Sequence, residues 1–164
     1  MGAGKSLTAK NLGKLLGREA ISTDQMIEAK EKRSIAKIFA ESGETYFRQV
    51  EKEVVSLAAQ EKGVIIDCGG GVIVNPESFA ILKETGLVIY LETSPEMVWE
   101  RVKNNRNRPL LNVPDPLAKI RELLKQRNPI YEQADLTVPT DHKTVDQVAK
   151  EIRGMLILIW AFHF

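Results

Sequence analysis

The chain has 164 residues, close to the usual size of one domain and long enough to bury about two-thirds of its unfolded surface. Its 23 basic and 22 acidic residues nearly cancel, which argues against a nucleic-acid partner. The single cysteine, Cys68, cannot form an intramolecular disulfide, no N-terminal run resembles a signal peptide, and the apolar C-terminal run is too short to span a bilayer. We therefore expect one cytoplasmic domain over residues 1–164, a monomer that binds neither nucleic acid nor membrane.

The first residues, Met-Gly-Ala-Gly-Lys-Ser, match the second half of the phosphate-binding pattern G-x-x-x-x-G-K-[ST]. Gly4 can adopt a positive φ, the Lys5 ammonium suits the β- and γ-phosphates, and the Ser6 hydroxyl can ligate Mg²⁺. Leucines at helical spacing predict a helix from Lys5 to Leu16, whose dipole would favour bound phosphate. The alternative is a glycine-rich turn that only caps this helix. The nucleotide site that we predict here comprises Gly2, Ala3, Gly4, Lys5, Ser6 and Leu7.

Strand-like and helix-like segments alternate along the rest of the chain. Short apolar, β-branched runs predict strands at residues 19–22, 64–68, 87–91 and 136–138. Apolar residues at helical spacing predict helices at 26–32, 34–41, 47–62, 76–84, 95–103, 117–126 and 145–157. The alternation indicates an α/β fold, a three-layer sandwich with a mostly parallel central sheet, helices on both faces and ligands at the carboxyl ends of the strands.

The segment 104–116 interrupts this alternation with a polar, basic sequence that contains three prolines. A segment of this composition and length is typical of a lid over a bound ligand. We expect this lid to carry Arg108.

Three consecutive glycines, Gly69, Gly70 and Gly71, follow the predicted buried strand 64–68. Residues without Cβ allow a ligand to approach the backbone closely, although a flexible turn explains a triple glycine equally well. Near other element ends lie Asp24, Arg48 and Arg127. Each alone is best explained as a solvated surface charge, but beside a phosphate loop they indicate an anionic substrate that carries hydroxyl groups.

At this point the sequence resembles the shikimate kinase family, from Met1 to about Leu156. The matching pieces, in order, are Met-Gly-Ala-Gly-Lys-Ser, Thr23-Asp24, Gly43-Glu44 with Phe47-Arg48 and Glu51, the triple glycine, Arg108-Pro109-Leu110-Leu111 and Arg127-Asn128-Pro129-Ile130-Tyr131. Their order and spacing are more specific than any one motif. The resemblance implies the fold of P-loop kinases and, with ATP and Mg²⁺, phosphorylation of the shikimate 3-hydroxyl in aromatic amino-acid biosynthesis.

The resemblance also implies roles for individual residues. Shikimate would be bound by Asp24, Arg48, Arg127 and Gly69 to Gly71, with both arginines on its carboxylate and Asp24 on ring hydroxyls. Glu51, one helical turn after Arg48, would orient that arginine. Arg108 would reach the ATP phosphates when the lid closes, and Arg101 would pack on adenine. Catalysis, assigned to Lys5, Asp24 and Arg108, would consist mostly of positioning and charge neutralisation.

The first departure from the family pattern concerns magnesium. The family usually has D-x-D after its second strand, and the first of those positions is Ser22 here. The position two before the triple glycine, commonly small in the family, is Asp67. Our hypothesis is that Asp67 returns a carboxylate to the magnesium shell, with Ser6 as the other protein ligand. The alternative is an aspartate that only caps the glycine turn.

The second departure is that the family's central first strand and the first glycine of its phosphate loop are missing before Met1. The apolar residues after the predicted last helix have the composition of a buried strand. We therefore predict a substitute strand at 156–163, which would put His163 where the family has the missing glycine. A disordered tail, a longer last helix and a reading-frame error are the alternatives.

Two other functions stay open from the sequence alone. One is a kinase of the same fold that acts on another small metabolite, against which Asp24 and the two arginines argue. The other is a shikimate-kinase-like binding protein with poor turnover, which Ser22 and the missing glycine favour.

Overall fold

The computed structural model describes residues 2–103, 111 and 113–162 of the chain. Seven α-helices, one short 3-10 helix (Val72–Val74) and four strands are found there, and each strand is followed by helical structure. The strands are β1 (Ala20–Ser22), β2 (Ile65–Asp67), β3 (Ile89–Glu92) and β4 (Leu136–Pro139). The helices are α1 (Lys5–Leu16), α2 (Thr23–Glu31), α3 (Ile35–Ala58), α4 (Pro76–Thr85), α5 (Pro95–Val102), α6 (Pro116–Tyr131) and α7 (Val145–Phe162).

The strands pair in parallel, but in two separate pairs within the described part of the chain. β1 pairs with β2, and β3 pairs with β4. The prediction of an α/β fold with parallel strands is confirmed, whereas the single continuous sheet is not observed between these residues. Each pair keeps the expected polarity, so the carboxyl ends of β1 and β2 lie side by side, with Ser22 opposite Asp67.

Residues with clear capping chemistry start most of these helices. The side chains of Ser22, Ser34, Asn75, Ser94 and Asp115 each accept a hydrogen bond from a backbone N–H in the first turn of the helix that follows. Such caps satisfy amide groups that have no partner within the helix. Inside α3, Gly43 has φ 78° and ψ 174°, which breaks the helix at the place where the sequence predicted a boundary.

The main apolar core joins the two strand pairs through α1. Leu12 of α1 lies in one buried cluster with Leu91 of β3 and Val138 of β4, and Ile65 of β2 packs against the same cluster. The cluster is closed by α7, through Val148, Ala149, Ile152 and Leu156. Helix α1 therefore rests on both strand pairs with its first turn at their edge.

The predicted substitute strand at 156–163 is wrong for the residues that the structure describes. Residues 156–162 continue α7, and His163 and Phe164 lie outside the described residues. Val148, Ile152 and Leu156 are spaced by four, which keeps them on one buried stripe of a helix. This packing outweighs the preference for a strand that the β-branched and aromatic residues of the tail suggest. The structure therefore supports the alternative of a longer last helix.

Helix α6 also runs further than predicted, from Pro116 to Tyr131 instead of ending near Gln126. Pro129 lies inside it, where a proline removes only one intrahelical hydrogen bond. The extension puts Arg127 and Tyr131 one helical turn apart on the same element.

Among the described residues, no helix is both long enough and apolar enough to cross a membrane.

The helical tail leads to a stability prediction. Ile152 is 2% exposed and Leu158 is 61% exposed on the same helix. Truncation of a buried isoleucine loses transfer free energy and leaves a cavity, so Ile152→Ala should lower the free energy of unfolding by about 2–5 kcal/mol. The matched change Leu158→Ala should lower it by less than about 0.5 kcal/mol. Urea denaturation measures both, and equal losses would mean that the tail packs elsewhere.

Candidate active site

The phosphate loop has the backbone that its glycines predict. Gly2 and Gly4 adopt left-handed φ values of 68° and 80°, which favour glycine. A Cβ on Gly2 would also lie 3.0 Å from a methyl carbon of Val102 in α5. Gly4 caps α1, and its carbonyl accepts a hydrogen bond from the Thr8 N–H at 2.9 Å. Gly2 and Gly4 therefore shape a turn that leads directly into α1.

Lys5, Ser6 and Leu7 form the first turn of α1, while Ala3 packs against the core. Ser6 and Leu7 are exposed and Lys5 is half-buried. Amide groups of a first helical turn lack partners within the helix and carry the positive end of its dipole. The start of α1 therefore has the features of an anion site, as the sequence predicted.

The triple glycine touches side chains from two other elements. A Cβ on Gly69 would lie 2.8 Å from Oδ1 of Asp24 and 3.2 Å from Oε1 of Glu51. A Cβ on Gly71 would lie 2.8 Å from Nη2 of Arg48. Charged groups of α2 and α3 therefore lie against the backbone at Gly69 and Gly71.

Arg48 is held in place by two carboxylates on its own helix. Its Nη1 donates to Glu51 Oε2 at 2.7 Å, and its Nη2 donates to Glu44 Oε1 at 2.9 Å. The Glu51 side chain is 3% exposed and that of Arg48 is 18% exposed. The predicted contact between Glu51 and Arg48 is present, and Glu44 is a further partner that the sequence analysis did not assign.

The Glu51 carboxylate is buried at some cost. Removal from water raises its pKa, the Asp24 charge raises it further, and the Arg48 hydrogen bond and charge lower it only in part. Arg127 also lowers the pKa of Glu51, so its guanidinium lies near this group. Asp24, Arg48, Glu51 and Arg127 thus share one electrostatic environment, although they come from three helices.

Helix α6 reaches the glycine loop through two side chains. Arg127 Nη1 donates to the Gly70 carbonyl at 3.2 Å, and the Tyr131 hydroxyl donates to the same oxygen at 2.6 Å. The Tyr131 ring stacks on Tyr90 of β3, with centroids 4.7 Å apart. Tyr131 was missed by the sequence analysis, although its position four residues after Arg127 puts both on one helix face.

Cys68 connects the phosphate loop with this cluster. Desolvation raises the pKa of its thiol to about 12, helped by the charges of Asp67, Glu51 and Asp24, while the Lys5 ammonium acts against them. The Lys5 ammonium therefore lies near enough to the end of β2 for its charge to act on the Cys68 thiol, next to Asp67. A thiol with this pKa stays protonated at neutral pH and is a poor nucleophile.

Asp67 ends β2 directly opposite Ser22 of β1. The glycine turn is not capped by the Asp67 side chain: the Gly69 N–H donates to the Thr23 hydroxyl at 3.1 Å, and that hydroxyl donates to the Asp67 carbonyl at 3.4 Å. Thr23 is fully buried and was not assigned from the sequence. The Gly69 N–H is therefore capped by Thr23 and not by the Asp67 side chain.

The predicted nucleotide site also includes Arg101 and Arg108. Arg101 lies on α5, and its Nη1 donates to the Gly2 carbonyl at 3.3 Å, so it is at the phosphate loop. Arg108 and most of the predicted lid at 104–116 lie outside the described residues. The other predicted site residues lie at the carboxyl ends of β1 and β2 and at the start of α1, except Arg101, which lies between Gly2 and the end of β4.

Comparison with known proteins identifies the family. A family model described as shikimate kinase matches residues 1–156. The chain belongs to the shikimate kinase family. The shikimate kinase of Dehalococcoides mccartyi strain BAV1 is 45% identical over 157 residues, covering 95% of this chain and 89% of the relative. That of Caldanaerobacter subterraneus subsp. tengcongensis is 40% identical over 152 residues, covering 93% of this chain and 89% of the relative.

Solved structures of the family share the fold. The Acinetobacter baumannii shikimate kinase, solved in complex with shikimate, superposes with a TM-score of 0.93 at 37% identity, covering 96% of this chain and 88% of that one. The Aquifex aeolicus shikimate kinase has a TM-score of 0.80 at 31% identity, with coverages of 95% and 90%. The P-loop kinase fold predicted from the sequence is confirmed.

The close approach of Arg48 to Gly71 gives a prediction for this shikimate kinase family member. In Gly71→Ala the new methyl group would displace the Arg48 guanidinium, while φ of −101° at this position suits any residue. Because the displaced group is the end of a flexible side chain, we expect a small change in melting temperature. The affinity for shikimate should nevertheless fall about tenfold or more, as expected when a charged hydrogen-bonding group is misplaced.

Gly86→Ala is the matched control, because a Cβ there would meet its nearest neighbour only at 3.8 Å. Titration calorimetry with shikimate measures both variants. Parent-like affinity in Gly71→Ala would show that the position of Arg48 is unimportant for this ligand.

Proposed function

We propose that this protein transfers the γ-phosphoryl group of ATP to the 3-hydroxyl of shikimate, giving shikimate 3-phosphate and ADP. The observation that carries the proposal is the meeting of Arg48, Arg127 and Asp24 at the glycine loop, beside the helix that starts with Lys5. Membership of the shikimate kinase family supports it.

The acceptor half of the site is suited to a hydroxylated ring acid. Arg48 and Arg127 are proposed to hold the shikimate carboxylate, since guanidinium groups bind carboxylates through paired hydrogen bonds. Glu51 orients Arg48, and Asp24 accepts a hydrogen bond from a ring hydroxyl. Gly69, Gly70 and Gly71 have no side chains of their own, so the ring is proposed to lie near this backbone beside the charged groups that contact Gly69 and Gly71.

The donor half is suited to a triphosphate. Gly2 to Leu7 surround the phosphates, and Lys5 neutralises charge that develops on the transferred group. The bond from the γ-phosphorus to the bridging oxygen of ADP breaks as a bond to the shikimate oxygen forms. Asp24 takes the hydroxyl proton in this proposal. Arg108 reaches the phosphates when the lid closes and excludes water, and Arg101 packs on the adenine.

Magnesium is proposed to accompany ATP. In the described part of the chain, no three His, Cys, Asp or Glu residues come together as a metal site. Mg²⁺ usually takes one or two protein ligands and completes its shell with phosphates and water. Ser6 and Asp67 supply the hard oxygen donors that we assign to it. When bound, the ion would neutralise phosphate charge.

The same proposal includes the cellular setting. The free thiol of Cys68 suits a reducing compartment, so we expect a cytoplasmic enzyme. A monomer of one domain is sufficient, because the assigned groups all come from one chain. Shikimate and ATP are then its small-molecule partners, with neither nucleic acid nor membrane involved.

A second candidate function is a binding protein of this family that turns over poorly. One observation favours it: Ser22 stands where the family usually has an aspartate. Without that carboxylate, the site would bind its ligands but align them less well for phosphoryl transfer. An assay of ADP release separates the two functions, because only the enzyme releases ADP when shikimate is added.

Substitution of Arg127 tests the acceptor assignment. Arg127→Met keeps the length of the side chain and removes its charge, so kcat/KM for shikimate should fall about 100-fold, while the affinity for ADP should stay within about twofold. Arg153→Met, on an exposed position of α7, is the matched control and should behave like the parent. The assignment fails if both variants keep parent kinetics with shikimate.

The register of β1 and β2 allows a sharp test of the magnesium assignment. Asp67→Ala should raise the Mg²⁺ concentration for half-maximal activity several-fold, since a charged ligand is lost. The double variant Ser22→Asp/Asp67→Ala places a carboxylate on the directly opposite residue. It should bring the Mg²⁺ concentration for half-maximal activity most of the way back to the parent value. Calorimetric titration of ADP with and without Mg²⁺ gives the same comparison without turnover. An unchanged magnesium requirement in Asp67→Ala would contradict the assignment.

A further inference from the structure

Two buried threonine hydroxyls meet just beyond the carboxyl ends of β3 and β4. The Oγ1 atoms of Thr93 and Thr140 are 2.7 Å apart, and the side chains are 6% and 2% exposed. The Thr140 N–H donates to the Glu92 carbonyl at 2.8 Å, which extends the ladder of this strand pair. The two hydroxyls therefore occupy a rigid position at the end of the paired strands.

Arg101 of α5 reaches this pair with two donors. Its Nη1 donates to the Thr140 hydroxyl at 3.2 Å, and its Nη2 donates to the Thr140 carbonyl at 2.9 Å. The Nη1 group also donates to the Gly2 carbonyl at 3.3 Å. The guanidinium thus bridges the end of β4 and the backbone of the phosphate loop.

These contacts determine the orientation of a planar group. All three bonds engage the edge of the guanidinium, while the residue as a whole is exposed. A guanidinium held by its edge presents its flat face, and that face stacks on aromatic rings. Since Gly2 precedes the Gly4-Lys5-Ser6 turn by two residues, the face lies beside the place where nucleotide phosphates would bind.

We propose that Thr140 is a positioning residue for the nucleotide base: with Thr93 behind it, its hydroxyl orients Arg101 as a stacking platform for the base of a purine nucleoside triphosphate. This inference rests on the proposed function only in that nucleotide binds at the start of α1. Stacking does not read the hydrogen-bonding edge of a base, so the platform serves adenine and guanine alike.

Kinetics give the first test. Thr140→Val removes the hydroxyl and keeps the volume and the carbonyl bond, so KM for ATP should rise about three- to tenfold, with KM for shikimate within about twofold. Thr140→Ser keeps the hydroxyl and should retain parent values. Thr93→Val removes the second hydroxyl of the pair and should have a smaller effect in the same direction.

Binding without turnover separates a base platform from a general loosening of the phosphate loop. By calorimetry, Thr140→Val should lose about three- to tenfold in affinity for ADP and keep its affinity for pyrophosphate, which has no base. Equal losses for both ligands would mean that the network only supports the loop, and no loss for either would remove any role in nucleotide binding. Both results overturn the proposal.

A second background keeps the test decisive if Thr140→Val is poorly folded. Arg101→Lys retains the charge and removes the planar face, so it should show the same loss that is specific to ADP. In this background neither Thr93→Val nor, where it folds, Thr140→Val should add a further loss, because these residues act through one group. Additive losses would contradict the proposal.

The outcomes also distinguish this inference from the proposed function. A parent protein that binds ADP without phosphorylating shikimate would overturn the activity and leave the platform testable by calorimetry. A parent protein that binds pyrophosphate no more weakly than ADP would overturn the platform alone, since the base then contributes nothing. A parent that binds neither would overturn both.

Discussion

Packing of α1 against both strand pairs is the interaction on which the rest of the structure depends. Leu12 shares its buried cluster with Leu91 and Val138 on one side, and Ile65 packs against that cluster from the other pair. Since β2 and β3 are not paired with each other, this apolar cluster is one of the contacts that join the two strand pairs, together with the bonds of α6 to Gly70. The same helix presents Lys5 and its unpaired amide groups at the strand ends. Core stability and phosphate binding therefore rely on one element.

The second constraint is electrostatic and lies at the glycine loop. Glu51 is buried, which alone would be costly, but its hydrogen bond to Arg48 offsets part of that cost and orients the guanidinium. A buried pair of this kind is weak evidence for stability and better evidence for orientation. Because Gly71 leaves room for the Arg48 head group, the arginine can face a ligand that rests on the loop.

The sequence predicted the elements better than their assembly. Strong helical spacing and a terminal glycine gave α1 with its observed bounds, and short β-branched runs located all four strands within a few residues. The C-terminal tail was mistaken for a strand because its composition was weighed above the spacing by four of Val148, Ile152 and Leu156. The helix predicted at 117–126 likewise runs on through Pro129 to Tyr131. The break between β2 and β3 agrees with the missing central strand noted in the sequence, whereas the proposal that the tail fills this gap was wrong, because the packing of α7 depends on distant contacts.

In the site, too, the charged residues could be predicted from the sequence, whereas the residues that hold the surrounding backbone in place could not. Motif residues such as Asp24, Arg48 and Arg127 could be chosen from the sequence because charge near an element end is conspicuous. The groups that hold the backbone around them are neutral hydroxyls: Thr23 on the Gly69 N–H and Tyr131 on the Gly70 carbonyl. Threonine and tyrosine are common in strands and helices for packing reasons alone, so only the fold reveals these bonds. A change of charge in this site alters what is bound, whereas loss of a hydroxyl alters where the binding groups stand, and the two should separate in affinity and stability measurements.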